Sequence, residues 1–443
     1  MKRGIRFYIY TLGCPKNEVD SEIITSNLIR NGFLQVESPD KADVILVNSC
    51  GFIKDSKEES IDTIFSFHRA RRKGQKIIML GCLAQRYKDE IEKLMPEIDG
   101  FIGSDKYTNI VDIVKGVISE EIRNEYLGDL SAVSMLYESG DRVYRPSNKS
   151  YTYVKIADGC SNRCAFCAIP FIKGGYRSRK IDDIVQEIEM LINSGYKEIG
   201  VVSQDLTAYG FDLELKNGLL TLLREIDNIR GDFWIRLYYL YPRRIDKKIL
   251  ELIAGSEKIL HYIDIPLQHI SDRILKSMKR GHTSNFIKGL IKNIRIIIPD
   301  VVIRSAFIVG FPDESRRDFE MLKEFLNEYR IENVGFFGYS DEEGTAAYKY
   351  TQKVHPQTIK SRLKEIYQFQ EEISYNLNQR YVGKVLKVLI DKEEDGTCIG
   401  RFYGQAPEID GLIYIKKKGK NRKGFANVRI SSADSYDLFG EFI

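Results

Sequence analysis

Short apolar runs alternate with amphipathic helical patterns along most of this chain, and this alternation limits the folds that it can adopt. In the first part of the chain, the apolar runs are Phe7–Tyr10, Val44–Val47, Ile77–Leu80 and Phe101–Ile102. The helical patterns fall at 18–31, 55–72 and 84–95 and from residue 107 onward. Strands that alternate with helices favour a parallel sheet. We therefore predict an α/β domain with a parallel sheet at residues 1–130.

A second series of alternations begins near residue 150. Its strand candidates are Tyr151–Ala157, Glu198–Val202, Trp234–Leu240, Tyr262–Ile265, Val302–Val309 and Val334–Tyr339. Helical patterns lie at 181–193, 217–229, 246–254, 271–279, 285–297 and 315–328. These six β/α units are too few for the closed eight-stranded TIM barrel. We predict instead a partial (β/α)6 TIM-like barrel that is open on one side for a large substrate.

The last part of the chain changes from a helical to a short β pattern. After a helical stretch at 356–380, the strand candidates are Val385–Ile390, Cys398–Tyr403, Leu412–Ile415 and Phe425–Ile430. Glycine and charged residues separate them, as in small all-β domains. We predict a small antiparallel β-barrel at 381–443, a central domain at 150–380, and a linker at 131–149 rich in Ser, Gly, Pro and Asn.

Composition and cysteine usage argue against several classes of protein. The 67 Lys and Arg residues nearly balance the 63 Asp and Glu, and the net charge of +4 argues against general nucleic-acid affinity. No apolar run approaches the ~18–20 residues of a membrane span, and the N-terminus does not resemble a signal peptide. Six of the seven cysteines form two groups of three, which indicates metal ligation in a reducing cytoplasm. The seventh, Cys398, is interpreted as structural.

Three cysteines lie within eight residues, at Cys160, Cys164 and Cys167. Three close thiolates suit a cubane iron–sulfur cluster, which normally takes four protein ligands, so one iron is left open for a reactive molecule. The C-x3-C-x2-C spacing resembles that of radical S-adenosylmethionine (SAM) enzymes, and Phe166 before the last cysteine fits the same pattern. The alternative is a zinc site with a distant fourth ligand.

The other three cysteines, Cys14, Cys50 and Cys82, are far apart in sequence but regular in position. Each follows the C-terminal end of a strand candidate, and in a parallel sheet these ends share one edge. Gly13 and Gly81 precede two of them and would let the backbone approach a bulky group. We therefore expect a second three-cysteine cluster. The alternative is three separate buried thiols, because free cysteine is commonly buried.

Longer motifs resemble the methylthiotransferase family of radical SAM enzymes over nearly the whole chain. The matching segments are Thr11–Glu22, Asn48–Ile53, Lys57–Ser60, Gly81–Tyr87 and Lys155–Arg179, and the tail is similar to a TRAM domain. Departures from the family pattern are slight, at Asp313 and at Asp55–Ser56. Further signatures are similar to family members that modify a ribosomal protein, namely Cys14–Asn17, Cys50–Ile53, Pro266–His269, Tyr339–Thr345 and Gln405–Gly411.

This resemblance implies transfer of a methylthio group to the β-carbon of an aspartate in ribosomal protein uS12 of the small ribosomal subunit. It implies two 4Fe-4S clusters, one on each cysteine trio, with SAM as radical source and methyl donor. It also implies an electron donor such as flavodoxin or ferredoxin, a sulfur donor and a cytoplasmic location with no membrane partner. The residues expected to hold SAM are Phe166, Gln204, Asp205, Arg236, Gln268 and Arg304. Lys155, just before the cysteine motif, is compatible with a solvated lysine.

Two other functions stay open from the sequence. One is methylthiolation of an adenosine in tRNA, and the other is a non-catalytic iron–sulfur carrier that needs no SAM pocket. The basic segment 416–423 is compatible with an RNA contact or with a solvated hairpin loop. Residues 381–443 contain 11 Lys and Arg against 9 Asp and Glu, which suits a docking module for a basic protein better than an RNA clamp.

Overall fold

The computed structural model describes residues 4–104, 106–125, 137–142, 149–416 and 423–443, without the side chain of Thr108. The chain divides into two compact units. The first consists of Met1–Tyr144, Lys155–Glu187 and Ser340–Tyr348, and the second of Arg145–Val154, Ile188–Tyr339 and Lys349–Ile443. Most of the predicted linker and of the basic segment 416–423 lies outside the described residues. The segment with the C-x3-C-x2-C motif thus shares a unit with the N-terminal sheet. The predicted boundaries place this segment in the central domain instead.

The first unit contains the predicted parallel sheet. Its strands are β1 (Arg6–Thr11), β2 (Leu34–Gln35), β3 (Val44–Ser49), β4 (Lys76–Gly81), β5 (Gly100–Gly103) and β6 (Asn124–Glu125). They lie in the order β2-β1-β3-β4-β5-β6, and all neighbours are parallel. Strand β3 is buried along its whole length. This burial explains its continuous apolar sequence, which is typical of strands covered on both faces.

The helices of this sheet domain follow the predicted pattern except at one place. They are α1 (Pro15–Arg30), α2 (Lys54–Ala70), α3 (Cys82–Arg86), α4 (Ile91–Leu94) and α5 (Ile110–Ile118). The single helix predicted at 84–95 is wrong, because the chain leaves the helix at Tyr87. The Tyr87 ring lies beside the cations of Lys57 and Arg86, and its hydroxyl accepts a hydrogen bond from Lys57 at 3.1 Å. These tertiary contacts fix the break.

The first unit continues after strand β7 (Tyr151–Lys155), of which only Lys155 belongs to it. Strand β8 (Ala157–Asp158) runs into the cysteine motif, which is followed by the short helix α6 (Ile169–Lys173). Strand β9 (Arg177–Ser178) then pairs antiparallel with β8. The cysteine motif is therefore closed at its base by a two-stranded ribbon.

The second unit contains the predicted partial barrel. After β7, its strands are β10 (Glu198–Val202), β11 (Trp234–Leu237), β12 (Tyr262–Asp264), β13 (Val302–Val309) and β14 (Asn333–Gly338). They form two parallel sheets, β11-β10-β7 and β12-β13-β14, which a parallel bridge between Ile235 and Ile259 connects. Among the described residues no pairing joins β7 to β14. The six strands thus form an open, TIM-like half-barrel, as predicted.

The helices between these strands lie close to their predicted positions. They are α7 (Ile181–Asn193), α8 (Gly218–Asn228), α9 (Lys247–Gly255), α10 (Asp272–Ser277), α11 (Ser284–Ile297) and α12 (Arg316–Tyr329). The start of α12 is a capping box, in which Ser315 accepts from the Asp318 backbone and Asp318 accepts from the Ser315 backbone. In the described part of the chain, no helix is long and apolar enough to cross a membrane.

A closed five-stranded barrel follows helix α13 (Pro356–Asn378). Its strands are β15 (Val385–Glu394), β16 (Thr397–Phe402), β17 (Ile413–Lys416), β18 (Gly424–Ala433) and β19 (Leu438–Phe442). The order is β15-β16-β17-β19-β18. The predicted small β-barrel is confirmed, although strand β19 was not among the predicted strands. Four of its five strand pairs are antiparallel, and the fifth, β17 with β19, is parallel. This parallel pair closes the barrel.

Candidate functional site

The structure brings Cys14, Cys50 and Cys82 to one edge of the N-terminal sheet. Ser49, the last residue of β3, pairs with Gly81, the last residue of β4, so Cys50 and Cys82 follow aligned strand ends. Cys50 and Cys82 are buried and Cys14 is half-buried. Burial raises the pKa of the Cys50 thiol and, more strongly, that of Cys82, and the neighbouring Cys50 and Cys14 thiols raise the pKa of Cys82 further. The pKa shifts of Cys50 and Cys82 therefore indicate that the three cysteines lie close together.

Two glycines next to this cysteine trio allow the backbone to approach neighbouring residues more closely than a side chain would permit. Gly13 and Gly81 have φ angles of 96° and 94°, which L side chains rarely adopt. A Cβ on Gly13 would lie 3.2 Å from the Cys50 sulfur. A Cβ on Gly81 would lie 2.4 Å from the side-chain oxygen of Asn48. Gly13 therefore leaves room beside the Cys50 thiol, and Gly81 lets the backbone before Cys82 approach Asn48 and Ser49.

Buried polar side chains fix the loops that carry these cysteines. The Asn17 amide donates to the Leu12 carbonyl at 2.7 Å, across the loop that contains Cys14. The Asn48 amide donates to the Asn17 carbonyl at 3.0 Å and so connects two cysteine loops. The Ser60 hydroxyl accepts from the Cys50 backbone at 3.0 Å. These contacts explain why asparagine and serine recur near the cysteines in the sequence motifs.

The second trio lies in a compact loop of the same unit. The Cys160 backbone donates to the Gly174 carbonyl at 3.0 Å, and the Cys167 backbone donates to the Cys164 carbonyl at 3.3 Å. Gly159 has a φ of 75°, and a Cβ there would lie 2.0 Å from the Gly175 carbonyl oxygen. Cys160 is buried, whereas Cys164 and Cys167 are half-buried and accessible. The base of this loop therefore requires a glycine, and two of its three cysteines are only half-buried.

Helix α6 connects the two trios within the first unit. It begins two residues after Cys167 and ends at Lys173. Ala168 and Ile172 pack on Cys82 in one apolar cluster. The Ser104 hydroxyl, which follows β5, donates to the Ile172 carbonyl at 3.2 Å. The segment that follows Cys167 thus packs directly against Cys82 of the other trio.

Both trios fit iron–sulfur clusters by the chemistry of their donors. A cubane binds each thiolate through a separate iron, and ligation removes the thiol proton that burial would otherwise retain. In the described part of the chain, no three His, Cys, Asp or Glu side chains are arranged to hold a single metal ion. That finding concerns single ions, because the ligands of a cubane stand further apart than those of one ion.

The residues expected to bind SAM are divided between the units. Phe166, in the first unit, is half-buried between two cysteines. Gln204, Asp205, Arg236, Gln268 and Arg304 belong to the second unit. Gln204 and Gln268 are half-buried near the ends of β10 and β12, and Gln268 has a φ of 73°. Phe166, Gln204 and Gln268 stay candidates for this role.

Two of the predicted SAM ligands have a structural role instead. The fully buried Arg236 donates to Glu198 at 2.6 Å and to the backbone carbonyls of Tyr403 and Gln405. One carboxylate oxygen of Asp205 caps the turn at Thr207, and the other pairs with Arg244. Their polar atoms are already used by the protein, so we withdraw both assignments. Side-chain direction along a strand depends on partners that are distant in sequence, and the sequence did not reveal them.

Arg304 uses part of its guanidinium in a contact within the protein. One arm of its guanidinium pairs with Asp410 of the tail motif, and Asp410 also accepts from the Tyr262 hydroxyl at 2.6 Å. The Arg304 side chain keeps an exposed fraction of 17%. Arg304 therefore stays a candidate SAM contact, and its ion pair with Asp410 is the contact that the structure shows. This pair gives the tail motif Gln405–Gly411 a structural role in joining the small barrel to β13.

Several charged residues near the cysteines were missed or misread in the sequence. Lys155 is buried against Asp20 and Asp158 rather than solvated. Glu342, in the segment Ser340–Tyr348, is buried and pairs with Lys57 at 2.8 Å and Arg86 at 2.6 Å. The sequence motifs contain these residues but do not show their pairing. Asp20 lies 135 residues from Lys155, and Glu342 lies 285 and 256 residues from Lys57 and Arg86.

Comparisons with known proteins agree with this geometry. Three family models match: the uncharacterized protein family UPF0004 at residues 6–103, the Radical SAM superfamily at 154–326 and the TRAM domain at 382–443. Among solved structures, a radical S-adenosylmethionine methyltransferase, TsrM from Kitasatospora setae, has a TM-score of 0.55 at 13% identity over 76% of this chain and 72% of that one. The cobalamin-dependent S-adenosylmethionine radical enzyme OxsB has a TM-score of 0.52 at 12% identity over 83% of this chain and 56% of that one. These structures establish the fold.

Curated relatives are similar over nearly the whole chain. A ribosomal protein uS12 methylthiotransferase RimO of Acetivibrio thermocellus is 43% identical over 98% of both chains. The RimO of Myxococcus xanthus is 41% identical over 98% of this chain and 91% of its own, and that of Thermotoga maritima is 41% identical over 99% and 100%. With its two cysteine trios and its three matched domains, the chain belongs to the RimO family of radical SAM methylthiotransferases.

Proposed function

We propose that this enzyme adds a methylthio group to the β-carbon of an aspartate in ribosomal protein uS12. The observation that carries the proposal is the presence of both cysteine trios in one compact unit, with helix α6 packed on Cys82. A carrier of clusters would not need two adjacent three-thiol sites together with a SAM-type half-barrel. The relatives that are similar over the whole chain are named for uS12.

Each trio has a proposed role. Cys160, Cys164 and Cys167 would hold one 4Fe-4S cluster with an open iron for SAM, and Cys14, Cys50 and Cys82 would hold a second with an open iron for sulfur. When bound, these groups supply the one-electron chemistry that breaks an unactivated carbon–hydrogen bond, and the sulfur and methyl group to be transferred. No side chain could remove that hydrogen as a proton at neutral pH.

The protein's own residues supply position and shelter for this chemistry. Cys50 and Cys82 are buried, so they would hold the second cluster where water has little access. Gly13 leaves room beside the Cys50 thiol, Gly81 lets the chain before Cys82 approach Asn48, and Gly159 allows the close backbone approach to Gly175 at the base of the other cysteine loop. Preorganised loops of this kind reduce the reorganisation that cluster assembly and substrate approach require.

The remaining partners are proposed from the same chemistry. We propose a one-electron donor of the flavodoxin or ferredoxin type, a separate sulfur donor, and action on uS12 either free or in the small ribosomal subunit. We place the reaction in the cytoplasm, since two cysteine trios that hold iron–sulfur clusters require reduced thiols. For SAM, Phe166, Gln204, Gln268 and Arg304 are the proposed contacts.

The mass of uS12 tests the substrate assignment. In cells that have this enzyme, uS12 should gain the mass of one methylthio group in place of one hydrogen, and deletion of the gene should remove the gain. Fragmentation should place the group on an aspartate. If uS12 is unchanged and tRNA carries the added mass instead, the substrate assignment is wrong. If the reduced protein never cleaves SAM, the enzyme assignment is wrong as well.

Cysteine variants test the separate roles. Replacing Cys160, Cys164 and Cys167 by Ala should abolish SAM cleavage. Replacing Cys14, Cys50 and Cys82 by Ala should retain SAM cleavage and stop methylthiolation. Cys398→Ala is the matched control, because Cys398 is buried in the small barrel outside both trios and should affect neither reaction.

A further inference from the structure

Two lysines and two aspartates form a buried ion-pair network in the first unit. Lys155 lies 2.5 Å from Asp20 and 3.1 Å from Asp158. Lys173 lies 3.5 Å from Asp20 and 3.4 Å from Asp158. All four side chains are at most 4% exposed. Each lysine therefore bridges the same two carboxylates.

Three of the four residues belong to segments that flank the cysteines. Asp20 lies on α1, which begins directly after Cys14. Asp158 is two residues before Cys160, and Lys173 ends α6, the helix that follows Cys167 and packs on Cys82. The network therefore spans from the loop of one trio to the loop of the other.

Tyr107 completes the surroundings of the two lysines. Its hydroxyl donates to Asp20 at 2.7 Å, and its ring lies 5.7 Å from the Lys155 ammonium and 5.9 Å from the Lys173 ammonium. Such contacts hold both ammonium groups in place. The Lys173 charge therefore has a fixed position relative to Cys82.

Stability alone does not explain this network. A buried ion pair contributes little net stability, because the cost of removing charges from water offsets their attraction. An apolar set of similar volume would hold the two loops as well. The two lysines are also not equivalent in position, since Lys173 ends helix α6, which packs on Cys82, whereas Lys155 ends strand β7.

We propose that Lys173 is a positioning residue that offsets the negative charge of the cluster on Cys14, Cys50 and Cys82, with Asp20 and Asp158 holding its ammonium in place. A cubane on three thiolates gains further negative charge when it is reduced or when an anionic sulfur ligand binds its open iron. Cluster potentials depend on nearby charge. The inference rests on the proposed second cluster.

The test isolates that cluster. In the background Cys160→Ala, Cys164→Ala and Cys167→Ala, the full chain should hold a single cluster, whose midpoint potential is measured by redox titration with electron paramagnetic resonance detection. Lys173→Met should shift the midpoint to more negative potential. Lys173→Arg should keep it near the parent value, since the positive charge is retained.

Lys155→Met is the matched control. It removes a cation from the same network, with ion pairs at least as short, but from the lysine that is not on the helix packed against Cys82. Its midpoint shift should be smaller than that of Lys173→Met. Equal shifts in both variants, or no shift in Lys173→Met, would overturn the role of Lys173.

A charge-balanced variant keeps the test valid if Lys173→Met does not fold. Lys173→Met with Asp158→Asn removes one cation and one carboxylate together, so no uncompensated buried charge is left. Its midpoint should lie below that of Asp158→Asn alone, and equal midpoints in these two variants would overturn the inference. Iron analysis separates the two proposals. If the background chain contains no iron, the second cluster itself is refuted. If it contains iron but the midpoint does not change when Lys173 is replaced, only this inference is refuted.

Discussion

Glu198 offers a quantitative test of how the small barrel is held to the half-barrel. Its carboxylate accepts from Arg236 of β11 and from Arg401 of β16, each at 2.6 Å. All three side chains are at most 1% exposed. Because the two arginines hold its charge, the pKa of Glu198 is below its usual range despite burial, which alone would raise it. Glu198→Gln keeps the shape of the side chain and removes the charge.

The magnitude follows from the contacts that are lost and kept. A hydrogen bond to a charged group contributes about 1.5–3 kcal/mol, and breaking a buried ion pair costs about 3–5 kcal/mol. The glutamine oxygen can keep one of the two bonds. Arg236 keeps its two backbone carbonyls and Arg401 keeps Asp391. We therefore expect Glu198→Gln to lower the free energy of unfolding of the second unit by about 3 kcal/mol.

Trp234 provides the assay. It is the only tryptophan of the chain, is buried at the start of β11, and its ring centroid lies 4.7 Å from that of Phe425 in β18. Urea unfolding followed by tryptophan fluorescence therefore reports on the joined half-barrel and small barrel. Glu251→Gln, which breaks the exposed pair with Lys247, should change the free energy by less than about 0.5 kcal/mol. A loss of under about 1 kcal/mol for Glu198→Gln would refute the reasoning.

Three further outcomes are expected. Burial and two neighbouring arginines lower the pKa of His282 to about 4, so the folded chain binds fewer protons than the unfolded chain between about pH 4 and 6.5. Stability should therefore fall by about 1–2 kcal/mol as pH drops through this window, and His282→Phe should flatten the dependence of the urea midpoint on pH. Glu342→Gln should increase hydrogen exchange in Ser340–Tyr348, because Lys57 and Arg86 lose their buried partner, whereas the exposed neighbour Glu343→Gln should not. Gly81→Ala should reduce iron content, since its Cβ would meet Asn48. Gly74→Ala is the control, because Gly74 has a similar φ of 81° but open space around it. Equal iron content in both variants would refute the close-approach argument.

The placement of both trios could be predicted because it depends on local rules. Strand ends of a parallel sheet are aligned, so Cys14, Cys50 and Cys82 meet once the strands are recognised. The C-x3-C-x2-C motif is contained in one loop. Neither inference requires knowledge of a distant partner.

The errors arise where distant contacts decide the outcome. Arg236 turns toward Glu198 and the carbonyls of Tyr403 and Gln405, the latter 167 and 169 residues away in sequence. Lys155 pairs with Asp20, 135 residues before it. Periodicity carries no information about such pairs, so a lysine beside a cysteine motif resembles a solvated one.

The small barrel shows the same limit at the level of the fold. Strand β19 is short and has Gly440 at its centre, which gives a weak strand signal. A Cβ on Gly440 would lie 2.6 Å from the Arg429 carbonyl oxygen, so the glycine is required by the neighbouring strand β18. The parallel pairing of β17 with β19 then closes the barrel. Closure depends on tertiary packing, and the sequence pattern does not encode it locally.

The iron and labile sulfide content of the full chain tests the central claim most directly. We predict two cubane clusters per chain in the anaerobically reconstituted protein, one cluster after replacement of Cys14, Cys50 and Cys82 by Ala, and one after replacement of Cys160, Cys164 and Cys167 by Ala. Mössbauer spectra should assign the remaining iron to 4Fe-4S clusters. Iron content that does not change when Cys14, Cys50 and Cys82 are removed together would contradict the assignment of a second cluster to that trio.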